Sequence, residues 1–206
     1  MNAALARVVA AAACLVGAGF LVLVALDAHA FGTRLPADDL RLRHEAIAHG
    51  LWRPRELAPF GAARAVLGID DDLLYRRALY AFRVGRPRDT IFDQPTTAKR
   101  IRAQVALEKF LATSTDDRRK SQAANLIGIL GFAAATQDAG QRVTFLNDAI
   151  ASFRMAMQLD PANDDAYFNL EYALDQLKEA TEQEAGSGKR LGGTGGAGER
   201  ETGHGY

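Results

Sequence analysis

Residues 160–174 read DPANDDAYFNLEYAL, from Asp160 to Leu174. Asp160-Pro161 ends whatever helix precedes it, because proline has no N–H to continue a helical ladder and disfavours helix at the residue before it. Asp164-Asp165 then suits a new start, where carboxylates meet the positive end of the helix dipole. Beyond them Tyr167, Leu170, Leu174 and Leu177 recur at i, i+3, i+7 and i+10, so the spacing predicts a helix with these four side chains on its core face. Phe168 and Tyr172 sit about 100° around from that stripe, which leaves two aromatics with no place in the same core.

Upstream, FLNDAIASFRMAMQL carries Leu146, Ile150, Phe153 and Met157 as one stripe, with Ala149 and Ala156 as small contacts. Before it, SQAANLIGILGFAAAT is rich in small residues. Gly128 and Gly131 lower helix propensity by about 1 kcal/mol each, a cost that makes sense only where another helix comes close. No sustained alternation of apolar and polar residues occurs after Pro36, so the fold class is all-α. The breaks are legible too. Ala37-Asp38-Asp39 can cap a helix running to about His49, ahead of Gly50 and Pro54. Ala62–Leu67 forms a short helix closed by Gly68, Asp70-Asp71-Asp72 opens the next, and Gly85 and Pro87 end it. Thr96 or Thr97 opens another, with Ile101, Val105, Leu107, Phe110 and Leu111 at helical spacing, and Asp116-Asp117 starts the small-residue helix.

Ala149, Phe153, Ala156 and Pro161 resemble the second helix of a tetratricopeptide repeat. Ala166-Tyr167-Phe168-Asn169-Leu170 with Ala173 is similar to the opening of the next repeat, and Asn125-Leu126 with Gly128 to the opening of the one before. Two departures stand out: the gap from Gly128 to Ala149 is longer than the family's, and Glu171 occupies the place of its usual glycine, as in a last, capping helix. The resemblance implies that Asp165, Phe168, Asn169, Tyr172, Asp175 and Gln176 line a partner-binding groove. The family's clamp for C-terminal carboxylates needs Lys or Arg beside the groove asparagine. Around Asn169 there are only acids, so a basic or apolar protein or peptide is the expected partner. More widely, LWRP at 51–54, PFG at 59–61, VLGIDDDL at 66–73, RRAL at 76–79 and RPR at 86–88 resemble a bacterial group of membrane-anchored repeat proteins. That group accompanies MoxR-type AAA ATPases and von Willebrand A-domain proteins, so the resemblance implies partners of those kinds and a role as an interaction scaffold.

Val8 to Leu26 is a run of nineteen residues without a charge, between Arg7 and Asp27. As a helix it spans about 28 Å, close to the thickness of a bilayer hydrocarbon core, which predicts a single-pass membrane anchor within residues 1–30. The alternative is a signal peptide cleaved after Ala28-His29-Ala30, leaving an exported soluble protein, but the apolar run is longer than such peptides use. Orientation signals conflict. Arg34, Arg41 and Arg43 favour a cytoplasmic body, whereas a very short N-terminal tail with one arginine is how exported, anchored domains begin, and the extracytoplasmic side is preferred. The expected organisation is therefore an anchor at 1–30, a membrane-proximal helical region at 31–115, repeat-like hairpins at 116–185 and a disordered glycine-rich tail at 186–206.

Lys plus Arg and Asp plus Glu are 25 each, which gives no pull towards nucleic acid. Residues 34–120 hold 18 basic and 12 acidic residues and 121–185 hold 3 and 10, so the net charge turns from +6 to −7 along the chain. Lys99, Arg100, Arg102 and Lys109 could put a basic helix face on a membrane surface, or simply be solvated. Several chemistries are excluded as expectations. The single Cys14 can form no disulfide within the chain and no cysteine metal site, and His44 and His49 are one position too far apart for a zinc-protease helix. Asp70 to Asp72 lack the alternation of a calcium loop. In Gly186-Ser187-Gly188-Lys189 the residue after the lysine is Arg190, where a phosphate loop needs Ser or Thr. No nucleophile–base–acid order is present, so no catalytic residue, cofactor or metal is expected, and an enzyme is the weaker alternative.

Overall fold

This computed structural model describes residues 3–44, 49–85 and 94–191. Among them every regular element is helical. The chain divides into two compact units, Met1–Arg77 and Ala78–Tyr206.

The first unit is built on α1, Ala3–His44, one helix that carries the apolar run and continues past it. The separate helix expected from residue 37 does not exist. The helix passes through Pro36, whose missing N–H leaves the Gly32 carbonyl without its intrahelical donor, a penalty of about 3 kcal/mol in a helix interior. What offsets it is lateral: Phe31 and Asp38, on either side of the proline, are 2% and 1% exposed. Asp38 is no helix cap. It accepts the Trp52 N–H at 2.7 Å and pairs with Arg34 and Arg41, while Asp39 accepts the Trp52 indole N–H at 2.8 Å and pairs with Arg76.

From Trp52 the chain runs back beside α1 as a strap without regular structure. At its far end Asp27, 2% exposed, accepts the N–H groups of Leu57 and Ala58 at 2.7–2.9 Å. A 3-10 turn at Pro59–Gly61 follows, then α2 at Ala62–Leu67, which packs on α1, closed by Gly68 in the left-handed conformation as the sequence predicts. α3, Asp70–Gly85, opens on the three aspartates. Asp70 pairs with Arg64 and Asp72 with Arg76, so two of them are ion-pair partners as well as favourable charges at a helix start. Arg77 is held below the usual arginine range, first by partial burial and then by Arg53 and Arg64 nearby.

The second unit contains α4 (Gln94–Thr113), α5 (Asp117–Ala135), α6 (Arg142–Leu159) and α7 (Asp164–Leu191). Asp116 caps α5 by accepting the Arg119 N–H, and Asp138 makes the turn before α6 by accepting from Gly140 and Gln141. α5 and α6 form the closest hairpin. Leu146, Ala149, Ile150, Phe153 and Ala156 are all buried, the predicted stripe of α6, and Met157 is half-buried at its edge. The small residues of α5 are there for them: a Cβ on Gly128 would lie 2.6 Å from Phe153 Cδ1, whereas one on Gly131 would meet Ala149 at an ordinary 3.5 Å. α7 packs mainly on α6 and touches α5. Along α4, Ala103, Leu107 and Phe110 are buried but Ile101 and Val105 face water.

A three-membered hydrogen-bond chain ties the start of α5, the last turn of α6 and the start of α7. Ser121 Oγ, fully buried, donates to the Ala156 carbonyl at 2.7 Å, Asn163 Nδ2 donates to Ser121 Oγ at 2.8 Å, and Asn163 Oδ1 accepts the Ala166 N–H at 3.1 Å. Asn163 thus begins α7, one residue before the aspartates. The helix continues through 186–191, into the stretch expected to be without structure; residues 192–206 of that tail lie outside the described residues. Residues 45–48, inside the two-histidine segment, lie outside them as well.

Candidate partner-binding face

α7 is where the expected site falls, and its core face differs from the one its large residues suggest. Ala166, Ala173 and Ala180 are buried at 0–3% exposure, with Leu170 and Leu177 packed beside them against Ile150 and Phe153 and against Leu146. Tyr167 and Leu174, expected on the core, are 44% and 39% exposed. The reason is distance. Alanines repeating every seven residues let α7 come close to α6, and a tyrosine or a second leucine row on that line would hold the helices apart.

The six predicted site residues separate into two kinds. Phe168 is 71% exposed and Tyr172 51%, with Asp165 and Asp175 exposed near them, so these four share open surface. Tyr172 also leans on Phe132 of α5, ring centroids 5.3 Å apart and tilted by 37°, a contact worth about 1 kcal/mol. Asn169 and Gln176 are occupied within the fold. Asn169 Nδ2 donates to Oδ1 of Asn125, itself only 6% exposed, at 2.9 Å, and Gln176 Oε1 accepts from Arg142 Nη2 at 2.9 Å. Their amides hold α7 to α5 and α6, so of the six expected residues the aromatic pair and its acids are the ones left open.

Sequence reasoning missed a second feature. A cleft between α4, α5 and α6 is lined by Arg100, Ile101, Gln104, Leu130, Gln137 and Phe145. Arg100, read as part of a basic face with Lys99, Arg102 and Lys109, turns away from those exposed residues and donates through Nη1 to Gln137 Oε1. Its Nε and Nη2 are buried without a hydrogen-bond partner. Only the separation of Arg100 from Gln137 along the chain hid this, because nothing local pairs them.

No family model, curated protein or solved structure matches the chain.

Proposed function

We propose that the chain is a membrane-tethered interaction scaffold, in which a repeat-like helical unit offers the outer face of α7 to a protein or peptide of basic or apolar character. The observation that carries this reading is Phe168. A phenylalanine 71% exposed in the second turn of α7, beside the half-exposed Tyr172 and ringed by Asp164, Asp165, Glu171 and Asp175, has the composition of a binding anchor with acidic surroundings. The resemblance to repeat proteins that accompany MoxR-type ATPases and von Willebrand A-domain proteins makes those the first partners to test. The expected outcome concerns full-length protein purified from solubilised membranes with its partner. Phe168→Ala leaves the melting temperature unchanged and weakens the partner by about 2 kcal/mol, roughly thirtyfold in affinity. Ile101→Ala, which removes another exposed apolar side chain, leaves binding intact. Full binding by Phe168→Ala would refute this assignment of the face.

The tether is α1, the one candidate membrane-spanning helix among the described residues. A retained anchor is supported over a cleaved leader by Asp27 and Val24, which are 2% and 8% exposed and lie on the N-terminal side of the would-be cleavage point after Ala30. Cleavage there would strip the strap of the carboxylate that receives Leu57 and Ala58. Mass spectrometry of the mature protein is accordingly expected to find residues 8–30 still attached, and a chain beginning at Phe31 would overturn the tether.

A further inference from the structure

Two aromatic residues of the first unit have positive φ, Trp52 at 53° and Phe60 at 59°. For bulky side chains this region is a strained outlier that persists only when its surroundings impose it. Trp52 is so imposed: it is 2% exposed, and both its N–H groups are held by carboxylates of α1. Phe60 is not: it is 104% exposed, so its side chain packs on nothing in the protein, and its left-handed backbone serves only the turn that Ala62 N–H closes on the Pro59 carbonyl. A glycine or asparagine would make that turn with less strain and would leave no phenyl ring bare in water.

The geometry of the strap says where that ring lies. Trp52 is fixed at the level of Asp38 on α1 and Leu57 at the level of Asp27. Eleven helical residues rise about 16 Å, and five residues of extended chain cover about 17 Å, so the strap runs nearly straight along α1 towards the apolar run. Asp27 is the first charged residue after that run and marks the edge of the hydrocarbon layer. Val24, one turn further in, is only 8% exposed, and Phe20, the turn after, is 40% exposed against 74% for Val16. α1 is therefore covered inside the apolar run, and the helix that packs on it, α2, follows directly on the tip. Close to the tip in the chain, Leu57, Val66 and Leu67 are 50%, 74% and 40% exposed.

We propose that the Pro59–Gly61 tip seats Phe60 in the interfacial layer of the bilayer, beside the point where α1 leaves it, so that the first unit is fixed against the membrane by a second, monotopic contact. This rests on the reading of α1 as a retained anchor. A phenyl ring between headgroups and acyl chains recovers the hydrophobic free energy it lacks in water, and the left-handed Phe60-Gly61 pair aims it outwards. The contact would fix the rotation of the unit about α1, which one spanning helix leaves free.

The test uses the full chain in phosphatidylcholine vesicles carrying a doxyl quencher at carbon 5 or carbon 12 of the acyl chain, with a bimane fluorophore on one cysteine. Three proteins are compared: the chain labelled at its own Cys14, and Phe60→Cys and Phe168→Cys, each with Cys14→Ser. The Phe60 position is expected to be quenched at least twofold more by the shallow doxyl than the Phe168 position, and less by the deep doxyl than by the shallow one. Cys14, in the middle of the apolar run, is expected to be quenched most by the deep doxyl. If Cys14 is quenched and the Phe60 position is no more quenched than Phe168, the tip does not touch lipid and the proposal is overturned while the anchor stands. If Cys14 is not quenched either, α1 is not in the bilayer and both fall.

Discussion

Replacing Gly128 by alanine is expected to lower the stability of the second unit by about 2 to 3 kcal/mol, although the same exchange in an open helix adds about 1 kcal/mol. The added methyl would enter the ring of Phe153, which is 1% exposed and surrounded by Ala149, Ile150 and Ala173. A ring so enclosed cannot move aside without displacing α6 or α7, so the clash outweighs the gain in helix propensity. Gly131→Ala is the internal control. Its Cβ would meet Ala149 at 3.5 Å, ordinary contact, so propensity alone acts and stability stays level or rises by up to about 1 kcal/mol. Thermal melts of both variants check this, and each kcal/mol corresponds to roughly 4–8 °C for a unit of this size. Equal behaviour of the two glycines would mean that the α5–α6 hairpin is not packed as described.

The second large effect belongs to Asp27. Asp27→Ala is expected to cost about 3 kcal/mol or more, because it leaves two backbone N–H groups, one buried and one half-buried, without the carboxylate that satisfies them. Asp27→Asn keeps one acceptor oxygen and should fall between the alanine variant and the native chain. The informative measurement is site-resolved amide exchange in detergent micelles. Leu57 and Ala58 should lose protection in Asp27→Ala while α5 and α6 keep theirs, since the second unit does not depend on this carboxylate. Unchanged protection of Leu57 and Ala58 would show that the strap is held by something else.

The course of the helices after residue 60 was largely legible. Gly68, Asp116 and Pro161 act locally, and each ends or starts a helix in the structure where its own chemistry says it should. The illegible parts are those decided by partners far along the chain. Pro36 reads as a boundary because the sequence does not reveal that Asp38 is held from the side by Trp52 and that Phe31 is buried. The strap is invisible for the same reason, since Leu57 and Ala58 meet Asp27 across some thirty positions. On α7 the spacing of the large residues points Tyr167 and Leu174 to the core, whereas the close approach of two helices selects Ala166, Ala173 and Ala180 instead. Of the expected site, the open aromatic pair could be read from its offset. The engagement of Asn169 with Asn125 and of Gln176 with Arg142 could not, because both bonds cross between helices.

The alanine seam of α7 also sets how firmly that helix is held. An alanine brings a single methyl out of water, about 0.8 kcal/mol, where a leucine or phenylalanine brings two to four times as much. The α5–α6 hairpin closes over Phe153, Leu146 and Ile150, but α7 docks on it through three methyl groups, two half-buried leucines and a few interhelical hydrogen bonds. α7 is therefore held to the hairpin less firmly than α5 and α6 are held to each other. A ligand that gripped its outer face would also add to the hold on the helix beneath it.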